Sequence, residues 1–174
     1  MKALLLGLLT LILSGNLFAE NLPGGFIAVK EEQIIWKDGE NGIKNVVLFG
    51  DPSKPGMYII RNIFPAGVMS TPHSHDQDRW VTVIKGTWYS GTDASWDPDT
   101  TIMMPQGGMM FHPANTVHFD GSLKEPVEVQ IMGMGPVKTT YIYQSVGKYG
   151  ITMATAMLMK LKQKITNNKK KKHK

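Results

Sequence analysis

The feature that most limits how this chain can fold is its punctuation. Between Val46 and Tyr143, short apolar runs alternate with turns rich in glycine and proline. Val46–Phe49, Met57–Phe64, Arg79–Ile84, Thr87–Tyr89, Thr101–Met104, Met109–His112, Val117–Phe119 and Val127–Met132 each read as a strand. Ile34-Ile35-Trp36 and Tyr141-Ile142-Tyr143 are expected at sheet edges. The turns fall at Gly50–Gly56 (GDPSKPG), Pro65-Ala66-Gly67, Pro105–Gly108 and Pro113-Ala114-Asn115. Short strands at this spacing predict an all-β sandwich or barrel. No strand–helix alternation supports a nucleotide-binding α/β fold. Gly107-Gly108 is followed by no helical pattern, which argues against a phosphate loop. A chain of 174 residues supplies one domain with a real core.

The two ends differ from this body. Lys2, the apolar stretch Ala3–Leu13 and the small residue Ala19 read as a signal peptide over residues 1–19, cleaved after Ala19. The competing reading is an uncleaved N-terminal anchor. Export to the periplasm or beyond follows from the first reading. Residues 20–33, with Pro23-Gly24-Gly25, form a leader. The barrel is expected over 34–145. Beyond it, Ile151, Ala154, Leu158, Leu161 and Ile165 follow helical spacing, which predicts a helix over 151–165. Residues 166–174 form a lysine-rich tail expected to be disordered. The helix is suited to dock on the barrel, to pair two copies as a homodimer, or to lie on an anionic membrane surface.

Charge excludes one class of partner. The formal charge is +5, but Lys2 and the eight lysines beyond Gly150 leave ten basic against fourteen acidic residues, a net −4 for the body. The basic balance therefore belongs to the tail and does not mark a nucleic-acid-binding face. Cysteine is absent, so no disulfide, thiolate metal site or cysteine nucleophile is available.

Of the five histidines, four lie between His73 and His118. His73 and His75 are spaced i, i+2, which on a strand puts both rings on one face. His118 follows a proline turn on a separate strand. Convergence of the three would give an N₃ donor set with open positions for water or substrate. The alternative for each is an ordinary core or surface histidine. Twelve methionines could suggest copper handling, although gap-filling in the core accounts for them as well.

Residues 67 to 86 resemble the first motif of the cupin superfamily, G-x5-H-x-H-x3-E-x6-G, with Gly67, His73, His75 and Gly86 in register. Gly107, Pro113 and His118 resemble the second motif, G-x5-P-x-G-x2-H-x3-N. Trp36 to Tyr141 is similar to a group of small, exported, single-domain bacterial cupins. The resemblance implies a jelly-roll barrel with a divalent metal held by His73, His75 and His118. It leaves iron, manganese, zinc, nickel and copper undistinguished. It also leaves open whether the protein binds only, or acts as a metal-dependent dioxygenase, isomerase or lyase.

Two departures from the motifs matter. Arg79 stands where the family has its glutamate. Arginine cannot ligate a cation, so Arg79 either pairs with an acid or clamps an anionic small molecule. Asn115 replaces a glycine, which suits a left-handed turn, and Ser122 replaces the final asparagine. With the glutamate gone, His112 and Gln130 are the candidates for a fourth ligand or for a supporting residue behind the ligands. His112 could equally lie at the surface, and Gln130 could equally point outward.

Overall fold

A computed structural model describes residues 19–143 and the backbone of 149–151. The expected signal peptide up to residue 18 and the lysine-rich tail lie outside the described residues. So does the expected C-terminal helix beyond Ile151, and Ile151 itself ends a strand.

The chain divides into two units, Met1–Ile35 and Trp36–Lys174. In the first, β1 (Glu20–Asn21) pairs antiparallel with β2 (Ile27–Ala28) around a 3₁₀ turn at Pro23–Gly25. The second unit holds the barrel. Its strands are β3 (Lys37–Asp38), β4 (Lys44–Phe49), β5 (Gly56–Phe64), β6 (Met69–Ser70), β7 (His73–His75), β8 (Arg79–Lys85), β9 (Thr87–Gly91), β10 (Ile102–Pro105), β11 (Met109–His112), β12 (Phe119–Gly121), β13 (Val127–Gly135), β14 (Thr139–Tyr141) and β15 (Tyr149–Ile151). They form a six-stranded sheet in the order β11-β8-β13-β5-β4-β3 and a five-stranded sheet in the order β10-β9-β12-β6-β15, with β14 paired to β7. Every pairing is antiparallel. This is the expected all-β jelly-roll architecture.

Alternation builds the core. Along β13, Val127, Val129 and Ile131 are buried while Met132 is exposed. Along β8, Val81 and Val83 are buried, and Arg79 shares their face by the two-residue repeat. These residues pack with Ile43, Phe64, Val68 and Trp88. Gly86, between β8 and β9, has φ of 81°, and a Cβ there would lie 2.5 Å from the Pro126 carbonyl oxygen. The turn thus requires glycine on two counts. Asn115 takes the left-handed φ of 61°, as its place in the turn implies.

One edge strand falls elsewhere than expected. Ile34-Ile35-Trp36 is irregular, and the edge pairing is made by Lys37–Asp38 against Asn45 and Lys44. A run of apolar residues without alternation marks no sheet face, and Ile35 is left exposed.

Candidate functional site

Backbone pairing brings the histidines together. His73 and His118 form a bridge in which each amide donates to the other's carbonyl, both at 2.9 Å. On its other edge β7 pairs with β14, Tyr141 opposite His73 and Thr139 opposite His75. All of His73, His75 and His118 are buried. Their ring centroids lie 4.8 Å (His73–His75), 4.4 Å (His73–His118) and 5.3 Å (His75–His118) apart. One ligand atom from each falls within 4.8 Å of the others.

The hydrogen bonds fix the tautomers. His73 Nδ1 lies 2.7 Å from the Thr71 carbonyl oxygen, and His118 Nδ1 lies 3.0 Å from that of Thr116. A carbonyl only accepts, so each Nδ1 carries the proton and each Nε2 keeps a lone pair. His75 follows the same pattern. The Arg79 guanidinium can only donate and does so to His75 Nε2, so Nδ1–H donates to Thr139 Oγ1 at 3.0 Å. Anchoring one ring nitrogen on an oxygen so that the other is free to ligate is the usual support for a metal-binding histidine.

Burial keeps these rings neutral. It pushes His73 down to about 4 and His112 down to about 3, with the neighbouring histidines adding to the effect. His75 is lowered furthest, by burial first and then by the adjacent Arg79 charge. His118 is lowered by burial against the pull of Asp120. Neutral imidazole is the form that binds a metal.

Arg79 lies in the site. It faces inward on β8 and sits opposite His112 of β11 and Gly133 of β13, and Gly133 in turn sits opposite Tyr58 of β5. Tyr58, Gly133, Arg79 and His112 thus form one row across four strands. Gly133 leaves the room this row needs, because a Cβ there would stand 2.7 Å from Tyr58 Oη. Tyr58 Oη and Arg79 Nε are buried without hydrogen-bond partners. Burial also raises the pKa of the Tyr58 phenol, which stays protonated as a donor. A cavity of about 300 Å³ is lined by Tyr58, Ser70, His73, His75, Arg79 and Asp120, among others.

His112 packs against His118 with centroids 4.1 Å apart and stacks on Trp88 at 5.5 Å. Gln130 is not brought to the cluster. It lies on the opposite face of β13 from Val129 and Ile131, where it accepts from Arg61 Nε at 3.0 Å beside the Arg61–Glu128 ion pair. Strand alternation carries it outward, so it is no candidate fourth ligand.

Sequence reasoning missed Asp120, Tyr58 and Gly133. Asp120 lies two residues beyond His118, and its carboxylate comes within 4.8 Å of ligand atoms of both His112 and His118. Its signal was the i, i+2 spacing from a candidate ligand on a strand. Tyr58 and Gly133 are defined by register alone.

The donors suit a divalent cation: neutral imidazoles, pinned tautomers and an adjoining cavity. The one feature opposed to it is Arg79 on His75 Nε2.

No protein-family model and no curated protein matches the chain. Solved structures do. KdgF from a Halomonas species is 18% identical, with 61% of this chain and 91% of that one covered, at a TM-score of 0.50. The polyketide cyclase RemF from Streptomyces resistomycificus is 13% identical over 67% and 87% of the two chains, at a TM-score of 0.54. An RmlC-like cupin from Shewanella frigidimarina is 16% identical over 62% and 89%, at a TM-score of 0.51. At such identities the likeness is one of architecture. The chain's two-sheet barrel has the fold of these cupin structures.

Proposed function

We propose that the barrel binds a divalent metal ion on its histidine cluster together with a small anionic molecule held by Arg79. The observation that carries the metal is the set of three buried imidazoles, His73, His75 and His118, each with its proton on Nδ1 and its lone pair on Nε2. The anion is supported by Arg79 Nε and Tyr58 Oη, two buried donors without partners in one cross-strand row. An unmet buried donor is costly, and an anionic oxygen bound there would relieve it.

A cation at this cluster would supply Lewis acidity and open positions for a ligand or for oxygen. The chain's own part is to orient and to exclude water. Arg79 would turn from His75 to the anion, Tyr58 would donate alongside it, and the apolar wall of Val129 and Ile131 would shed solvent. Among the described residues Ser90 Oγ stands 3.5 Å from His112 Nε2, and no carboxylate dyad accompanies the site; an oxygenase-type or lyase-type activity would depend on the metal.

The deciding experiment is elemental analysis of protein purified without a histidine tag. Stoichiometric metal that is lost in His118→Ala supports the reading. Its absence after refolding with each candidate ion removes it. Oxygen uptake by Fe(II)-loaded protein over a panel of small carboxylates then separates an oxygenase from a binder. The second reading, a metal-free barrel for small molecules, is favoured by Arg79 standing on His75 Nε2.

We also propose export, on the strength of Lys2, the apolar stretch Ala3–Leu13 and Ala19. N-terminal sequencing of the mature protein tests it: a start at Glu20 supports export, and a retained Met1 overturns cleavage.

A further inference from the structure

We propose that, while Arg79 rests on His75, the cation is held by His112, His118 and Asp120. The proposal deepens the metal reading above and rests on it. It concerns which donors hold the ion in the ligand-free protein.

The three residues offer ligand atoms within 4.8 Å of one another. His118 and Asp120 lie two residues apart along extended chain, and His112 comes from β11 of the other sheet with its ring 4.1 Å from that of His118. His118 belongs to this set and to the three-histidine set alike. Its Nδ1 is committed to Thr116, so it has one lone pair to give and serves one ion at a time. The two sets are therefore alternative positions around His118.

Arg79 decides between them. It donates to the His75 Nε2 that the three-histidine set needs. Arg79 also sits opposite His112, so its positive charge bears on both sets. Only the Asp120 set has a carboxylate to offset that charge and partly neutralise a dication, and the Nε2 atoms of its histidines are not the one Arg79 occupies. The carboxylate is also held in place, since Ser70 Oγ donates to Asp120 Oδ1 at 3.1 Å while accepting from the Asp120 amide at 2.9 Å. A carboxylate oxygen of Asp120 lies within 4.8 Å of the ligand atoms of His112 and His118. Asp120 thus supplies, from a different strand, the carboxylate that Arg79 displaces from β8. A two-imidazole, one-carboxylate set with open positions suits Fe(II), Mn(II) or Co(II).

The test is Co(II) titration of metal-stripped full-length protein without added organic ligand, followed by visible absorption and calorimetry. Asp120→Asn keeps the acceptor for Ser70 and removes only the charge. Asp120→Asn and His112→Gln are each expected to weaken Co(II) by roughly 10-fold to 100-fold, and His75→Gln, which removes a donor of the other set, to weaken it by less than about tenfold. Thermal melts report whether each variant is folded, and Asp120→Asn decides alone should His112→Gln unfold. The proposal is overturned if His75→Gln weakens Co(II) tenfold or more, or if Asp120→Asn binds like the wild type. Either result, with Co(II) still bound by the wild type, leaves the broader metal reading standing. A wild type that binds no Co(II) removes both.

Discussion

Arg79 donates to Nε2 of His75, the atom with which that histidine would meet a metal. On the proposed function the guanidinium would compete with the cation and, once turned, would partner an anion. Replacing it should separate the two roles. Arg79→Ala is expected to raise metal affinity, because it frees a lone pair and removes a like charge. The same change should weaken a bound carboxylate by about 1.5–3 kcal/mol, or roughly 10-fold to 150-fold. Calorimetry with metal and with small carboxylates measures both. Metal affinity that falls in Arg79→Ala would contradict the competition.

Gly133 tests the row that joins Tyr58 to Arg79. A methyl group there would stand 2.7 Å from Tyr58 Oη and 3.2 Å from the Asp78 carbonyl oxygen. Gly133→Ala is expected to cost about 1–3 kcal/mol through overpacking. It should also displace the phenol and weaken the anion. Urea melts and anion titration read the two effects, and a variant as stable as the wild type would show that the row has slack.

The histidines make the metal-free protein acid-sensitive. Folded His73 and His112 take up protons only near 4 and 3, against an ordinary value of 6.5. Between those values the unfolded chain binds more protons, so stability falls as pH drops from about 6.5 towards 4, by up to about 1.4 kcal/mol per pH unit for each histidine. The urea midpoint of chelator-treated protein is expected to be lower at pH 5 than at pH 7. Equal midpoints would mean that the rings already titrate normally in the fold.

Gln130 provides the contrast. It lies on the outer face of β13 bound to Arg61. Gln130→Ala should leave metal affinity within about twofold, since substitutions without shared partners act independently. Metal analysis beside His118→Ala checks this, and loss of metal in Gln130→Ala would mean that β13 is turned the other way.

Much of this was legible in the residues. The strands around Val81–Val83 and Val127–Ile131 show themselves because one face is buried and the other wet, which writes a period of two into the sequence. His73 and His75 announce themselves by spacing, and Gly67 and Gly86 frame them. β6, only Met69–Ser70, is too short to carry a period. Asp120 could have been read from its distance to His118, but only once that segment was known to be extended. Tyr58 and Gly133 could not have been, because their meeting depends on which strands pair and in what register. Gln130 was open on the same ground: alternation separates the two faces of β13 without saying which is inside.

The strand that carries His73 and His75 is tied on one edge to His118 and on the other to β14. His75 therefore links two events. Its Nε2 receives Arg79, and its Nδ1 reaches Thr139 on β14. Were the guanidinium to leave for an anion, the ring would lose one of its two tethers, and the remaining one runs to the Thr139 hydroxyl on the paired strand. On the proposed function, occupancy of the cavity would be felt at β14, and hydrogen exchange at Thr139–Tyr141 would gauge ligand arrival without any turnover.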